Sequence, residues 1–138
     1  HDSWIVKVTG RYFVKNIQRM LTAIETEGNS KLIYTDLSRN LTWADARFFV
    51  FRQAFYERYL SFFLSQINEG AGVYFEHILA KAILKSMIDK PNWAFLPEYP
   101  LYEGVLGTYN VPLRTNFWRQ WKNHVLLSLK KYAFAHCT

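Results

Sequence analysis

Trp4-Ile5-Val6-Lys7-Val8-Thr9-Gly10-Arg11-Tyr12-Phe13-Val14-Lys15-Asn16-Ile17 changes its hydrophobic period part of the way along. Trp4, Ile5, Val6 and Val8 form a β-branched and aromatic run that reads as a buried strand, whereas Val14, Ile17, Leu21 and Ile24 recur at helical spacing. The polar triplet Thr9-Gly10-Arg11 lies between them. A strand that feeds a helix there places the triplet at its carboxyl end, where open α/β sheets bind ligands. Gly10 lets the backbone approach a ligand closely, and Arg11 carries a planar fork of donors suited to phosphate or carboxylate.

Outward from this stretch, the chain alternates strand and helix signals. A first helix is expected over 14–25, turn residues at Glu27-Gly28-Asn29-Ser30, a second strand over 31–35 and a polar loop at Asp36-Leu37-Ser38-Arg39-Asn40. Phe48-Phe49-Val50-Phe51, apolar on both faces and bounded by Arg47 and Arg52, predicts a central third strand over 47–51. Phe55, Tyr59, Leu60, Phe63 and Ile67 make a helical stripe that ends at Asn68-Glu69-Gly70-Ala71-Gly72. A helix follows over 73–88, with Glu76 in its first turn near the apolar stripe. Pro91, Pro97 and Pro100 force an extended crossing over 89–101 with Trp93, Phe95 and Leu96 packed inward, and Gly104, Gly107 and Thr108 mark a tight turn. The last helix, over 115–135, carries Phe117, Trp121, Val125, Leu129 and Tyr132 on one face, with Arg119, Lys122, Lys130 and Lys131 largely opposite. The expected fold class is α/β or α+β, with a small mixed sheet packed by about four helices in one domain spanning 1–138.

Composition narrows the function classes. A chain of 138 residues that is 50% hydrophobic and 18% aromatic is not disordered and is long enough for a core. No apolar run approaches the roughly 20 residues of a membrane span, and the start of the chain lacks a basic-then-apolar leader pattern. The expected location is cytoplasmic, with peripheral contact at the inner face of a membrane as an extension of that reading. The single cysteine, Cys137, rules out an internal disulfide and a cysteine-rich zinc site. Seventeen Lys and Arg against eleven Asp and Glu give a net charge of +6, which favours nucleotide diphosphates, anionic lipid or nucleic acid without choosing among them.

The residues around the Thr9-Gly10-Arg11 turn resemble a segment of nucleotide-sugar glycosyltransferases of the GT-A type. There a hydrophobic strand written roughly Trp/Tyr-Ile-Leu-Lys runs into an acidic Asp-x-Asp triplet, an aliphatic-aromatic pair, an Asn and a helix; here Thr9-Gly10-Arg11 stands in the triplet's place. More closely, Ile5 through Asn16 is similar to the Ile-x-Lys-x-Thr-Gly-Arg-Tyr-Phe segment of bacterial surface-polysaccharide glycosyltransferases, which build lipopolysaccharide and capsule. The resemblance continues through Trp43-Ala44-Asp45-Ala46-Arg47-Phe48-Phe49-Val50-Phe51, Tyr74-Phe75-Glu76-His77-Ile78-Leu79-Ala80 and Tyr102-Glu103-Gly104-Val105-Leu106-Gly107-Thr108.

The resemblance implies a hexosyltransferase that passes a sugar from a nucleotide-sugar donor to a polysaccharide or lipid-linked glycan acceptor. A complete GT-A domain takes on the order of 200 to 250 residues, against about 100 to 200 for a usual domain. It also carries a nucleotide-binding half ahead of the triplet strand, whereas here that strand begins at Trp4. The chain therefore resembles the acceptor-side half of a larger three-layer enzyme whose amino-terminal half is missing, and its activity in isolation is open. By the same likeness Glu76 is the expected acceptor-side base, Thr9, Gly10 and Arg11 bind the donor diphosphate, and Lys7, Tyr12, Arg47, His77 and Glu103 contact acceptor or sugar.

Two of these residues carry plainer readings as well: Glu76 complements the helix dipole, and Arg11 pairs with a surface carboxylate such as Asp36 or Asp45. No cofactor and no metal are expected, because a guanidinium at the triplet position repels a cation and can itself neutralise the diphosphate. The competing class is a non-catalytic or nucleic-acid-binding basic aromatic module. Nucleic acid is not the expected partner, since the aromatics fall at core-consistent positions and the basic residues are spread along the chain. The helix over 115–135 is the segment that would touch anionic lipid.

Overall fold

Phe48-Phe49-Val50-Phe51-Arg52 is buried at every position in the computed structural model, which describes residues 3–10, 12–28, 30–106, 111–112 and 117–136. Side chains of a strand alternate between two faces, so a run of four apolar residues is satisfied only where both faces are covered and both edges are paired.

The elements in chain order are β1 (Trp4–Val8), β2 (Tyr12–Val14), α1 (Ile17–Glu27), β3 (Ile33–Tyr34), β4 (Leu37–Ser38), β5 (Trp43–Ala44), β6 (Phe48–Arg52), α2 (Gln53–Phe55), α3 (Phe75–Asp89), β7 (Trp93–Ala94), β8 (Tyr102–Leu106), β9 (Val111–Pro112) and α4 (Phe117–His136). α2 runs on through a π-helical turn, Tyr56–Leu60, and a 3-10 segment, Ser61–Gln66. The class is mixed α and β with four principal helical stretches, as the alternation of periods predicts.

The chain packs as two compact units, His1–Thr9 with Gly28–Ala94 and Gly10–Glu27 with Phe95–Thr138. In the first, a four-stranded sheet has the order β1-β6-β3-β7, in which β6 is antiparallel to both neighbours and β3 is parallel to β7. β4 and β5 form a separate antiparallel hairpin. An aromatic series ties the sheet to the helices: Phe49 meets Phe51 at 5.3 Å and Phe75 at 6.2 Å, Phe51 meets Phe55 at 6.5 Å, and Phe55 meets Tyr59 at 5.9 Å. α3 buries Ile78, Leu79, Ala80, Ala82 and Ile83 beneath this layer. The predicted stripe holds at Phe55, Tyr59 and Leu60, and Ile67 beyond it is 37% exposed. The π-helical turn adds a residue to the repeat and rotates the following side chains off the stripe.

In the second unit β2, β8 and β9 form an antiparallel sheet, and the unit also holds α1 and α4. Asn16 is the polar tie: buried, it donates from Nδ2 to the Tyr99 carbonyl (3.0 Å) and accepts from the Leu101 N–H (2.8 Å). The predicted inward packing holds for Phe95 and Leu96 here and for Trp93 in the first unit, with all three buried.

Three expectations shift. The first helix begins at Ile17 rather than Val14, because Tyr12, Phe13 and Val14 pair with Gly104, Glu103 and Tyr102. That partner lies far along the chain, so local periodicity cannot reveal it. The Thr9-Gly10-Arg11 triplet consequently joins two strands instead of a strand and a helix. The second strand is shorter than 31–35, reduced to Ile33–Tyr34. In α4 the anticipated core face is solvent-exposed at Trp121, Leu129 and Tyr132, while Leu127 is buried. Arg11, Asn29, Gly107, Thr108, Arg114 and Cys137 lie outside the described residues.

Two stability tests follow from the second unit. Asn16→Ala leaves a part-buried carbonyl and N–H without their partner, so the denaturation midpoint should fall by the equivalent of about 1–3 kcal/mol with an unchanged m-value. Glu98 is held below its ordinary pKa of 4.5, first by the hydrogen bond from Arg19, with burial opposing. A carboxylate depressed in the folded state stabilises fully above its unfolded pKa, and that contribution is lost as pH falls through the folded one. Glu98→Gln should therefore flatten the acid limb of stability below about pH 4.5, measured by unfolding at stepped pH. An unaltered limb would assign acid sensitivity to other carboxylates.

Candidate active site

Antiparallel pairing sets the site. The register Val8↔Phe48 brings the carboxyl end of β1 beside the residues that enter β6, so Lys7 and Thr9 meet Asp45-Ala46-Arg47. The Thr9 N–H donates to the Arg47 carbonyl (2.9 Å) and the Thr9 hydroxyl to the Ala46 carbonyl (3.3 Å). Lys7 donates from Nζ to the same Ala46 carbonyl (2.6 Å) and to Thr9 Oγ1 (3.1 Å). The ammonium stands 5.7 Å from the Phe49 ring centre and 5.8 Å from that of Phe75. Burial pushes the Lys7 amine below its ordinary pKa, with the charges of Glu76 and Asp45 partly offsetting it.

Asp45 is a fixed element of this turn. Its carboxylate accepts from the Arg47 backbone N–H (2.9 Å), from Arg47 Nε (3.0 Å) and from Nη2 (2.6 Å). Its carbonyl accepts from the buried Thr35 hydroxyl at 3.0 Å, and its N–H donates to the Asp36 carbonyl at 2.9 Å. Such a bidentate fork orients the guanidinium.

The β4–β5 hairpin supplies the opposite wall. Arg39, Asn40 and Leu41 all have positive φ, at 51°, 55° and 67°. Each left-handed turn costs an L-residue roughly 1–2 kcal/mol, and strain of this kind gathers at ligand clamps. Thr42 secures the loop by donating to the Arg39 carbonyl from its hydroxyl (2.7 Å) and its N–H (3.2 Å). The result carries Arg39 over the Trp43 ring at 4.3 Å. His77 meets that ring edge-on at 4.9 Å and stacks on Tyr74 at 5.9 Å. Nδ1 of His77 accepts from the Tyr74 N–H (3.1 Å), which caps α3 and puts the proton of a neutral ring on Nε2.

These elements enclose a cleft of about 280 Å³ lined by Asp36, Ser38, Arg39, Trp43, Asp45, Arg47 and Glu76. Glu76 is half-buried in the first turn of α3, which the Gly72 break precedes. Among the described residues Glu76 makes no ion pair, whereas Asp45, Glu98 and Glu103 are paired with Arg47, Arg19 and Lys15. Carboxylates that accept from hydroxyls, beside an indole that can stack on a pyranose face, are groups suited to a sugar. Among the described residues no group of three or more His, Cys, Asp or Glu side chains is arranged to hold a metal ion.

Of the residues that the sequence singles out, the first unit gathers Lys7, Thr9, Arg47, Glu76 and His77, with Arg47 and Glu76 on the cleft wall. His77 supports the wall from behind through Trp43. Gly10, Tyr12 and Glu103 belong to the second unit, where Tyr12 packs on Tyr102 at 5.5 Å and Glu103 pairs with Lys15 at 3.2 Å. A Cβ at Gly10 meets nothing within 4 Å, so no packing constraint of the chain accounts for a glycine there. Arg39 and Trp43 enter the site without a periodic signal in the sequence, because two-residue strands leave no periodicity to betray a hairpin. A tryptophan beside a run of polar loop residues was the available signal.

No protein family, curated protein or solved structure gives a match to this chain.

The two anchored side chains of the turn should respond differently to substitution. Lys7→Met keeps the stem against Phe49 and Phe75 and removes a desolvated charge, so stability should stay within about 1 kcal/mol of the parent. Asp45→Ala removes the acceptor of an N–H and a guanidinium fork and should cost about 1–3 kcal/mol. Urea unfolding of the two variants measures the contrast; a large loss for Lys7→Met would make that lysine a structural residue.

Proposed function

We propose that this chain is the acceptor-side part of a GT-A-like glycosyltransferase, which passes a sugar from a nucleotide-sugar donor to a polysaccharide or lipid-linked glycan acceptor. The observation that carries the reading is Glu76: a half-buried carboxylate at the amino end of a buried helix, on the wall of a polar cleft that also holds Trp43 and Arg47. Asp45, Glu98 and Glu103 are engaged by Arg47, Arg19 and Lys15. A general base needs a carboxylate at the reacting hydroxyl, and the Asp45 oxygens already accept from Arg47.

In this mechanism the Glu76 carboxylate takes the proton of the acceptor hydroxyl as its oxygen attacks the anomeric carbon. The bond from that carbon to the diphosphate oxygen breaks, and its electron pair leaves with the nucleotide diphosphate. Thr9, Gly10 and Arg11 are assigned to the diphosphate by the resemblance of their segment. Lys7, at the carboxyl end of β1, and Arg47 on the cleft wall are assigned by the same resemblance to the acceptor or sugar. Trp43 offers a face to the acceptor ring, and Asp36 and Ser38 offer partners for its hydroxyls. Charge on the leaving group is met by the Arg11 guanidinium instead of a divalent ion, so the proposed reaction survives chelation.

Glu76→Gln tests the assignment, since it keeps shape and hydrogen bonding and removes the proton acceptor. Turnover of the full-length gene product should fall by about 10²- to 10⁴-fold, while melting temperature and its rise with UDP-, GDP- or CMP-linked sugars stay unchanged. A lower melting temperature with intact turnover would make Glu76 a helix-end stabiliser. Protection by oligonucleotides and by no nucleotide sugar would move the protein to the nucleic-acid-binding class.

A further inference from the structure

α4 presents its apolar stripe outward. Trp118, Trp121, Val125, Leu129 and Tyr132 recur at steps of three and four and so share one face. Their exposures are 76%, 58%, 36%, 59% and 65%. The roll of the helix is set from its other side, where Leu127 is buried and Lys131 donates from Nζ to the Pro97 carbonyl at 2.7 Å. Turning the stripe inward would break both contacts. Trp118 and Trp121 meet edge-to-face at 6.4 Å and 83°, so the two indoles form a continuous patch. Folded chains rarely leave a contiguous apolar patch of this kind to water.

Charge selects what covers it. From Gly104 to Thr138 the sequence contains no Asp or Glu, while Arg114, Arg119, Lys122, Lys130 and Lys131 supply five positive charges. Lys122 is exposed, about 100° around the helix from Trp121, at the margin of the stripe. There its stem can lie along apolar surface while the ammonium reaches polar headgroups. Tryptophan and tyrosine, apolar with one polar tip, settle at the boundary between acyl chains and water. Among the described residues no helix is long and apolar enough to cross a membrane.

From these observations we infer that α4 is an interfacial anchor: it lies in the plane of an anionic phospholipid bilayer with the Trp118–Tyr132 stripe facing the acyl chains and Lys122, at the stripe margin, at the headgroups. The inference does not depend on the glycosyltransferase reading.

Sedimentation of the protein with phosphatidylcholine vesicles, with and without a minority of phosphatidylglycerol, tests it. The anionic vesicles should bind at least about tenfold more tightly at low salt, with tryptophan emission shifting to the blue, since each basic residue near the surface contributes on the order of fivefold. Trp118→Gln with Trp121→Gln should weaken partitioning by at least about tenfold and leave the melting temperature unchanged, because both side chains are exposed. Lys122→Glu should weaken binding to anionic vesicles alone. Three outcomes overturn the inference: equal binding to both vesicle types, undiminished binding of the double variant, or a dimer in sedimentation velocity that the double variant splits. The last would give the surface to a second copy of the chain.

Discussion

The pairing of β6 between β1 and β3 is the constraint from which the first unit follows. Phe48, Phe49, Val50 and Phe51 are all less than a tenth exposed, so this strand cannot sit at an edge or face water. Once β1 and β3 flank it antiparallel, the aromatic side chains on its faces meet Phe55 and Phe75 and draw the helices over the sheet. The same pairing determines where polar groups can collect. A side-by-side register of Val8 with Phe48 leaves Thr9 and the Asp45–Arg47 turn together at one end of the sheet, where the ladder stops and carbonyls need other partners.

That end of the sheet is where charge becomes useful. Lys7 is anchored by a carbonyl and a hydroxyl over two phenyl rings, and Asp45 locks Arg47. Groups held in this way keep their orientation without further rearrangement. The strained Arg39-Asn40-Leu41 loop has no evident packing reward, and its effect is to hold a guanidinium over an indole at the cleft rim. The second unit uses charge differently. Lys15 with Glu103 is an exposed pair with little weight in stability, Arg19 reaches from solvent to the largely covered Glu98, and the buried Asn16 does the joining.

α4 departs from the ordinary rule for a surface helix, since its most aromatic face is turned away from the core. The contacts that hold it, the buried Leu127 and the Lys131 hydrogen bond to the Pro97 carbonyl, come from the side away from its aromatic stripe. A helix can be held by a few residues if its apolar face is reserved for another environment, and the all-positive charge of this part of the chain is consistent with a lipid one.

The sequence by itself determined the strong local features. Uninterrupted apolarity over 48–51 made a central strand, helical spacing made α1 and α3, the Asn68-Glu69-Gly70-Ala71-Gly72 break separated α3 from the helix before it, and prolines kept 91–100 extended. These depend on a residue's own preferences and its near neighbours, and they are legible because each signal is repeated several times. The same local reading placed Glu76 in the first turn of its helix, because a glycine-rich break and an apolar stripe bracket it. Tertiary structure alone decided the rest. Whether Tyr12–Val14 is strand or helix depends on residues 102–104, whose contribution is a backbone ladder without a sequence signature. The grouping of Lys7, Arg39, Trp43, Asp45 and Glu76 depends on a strand register and a four-residue hairpin loop, 39–42, that no periodicity encodes. The outward face of α4 reverses the local hydrophobic pattern, because the roll of a helix is set by whichever residues find partners in the fold.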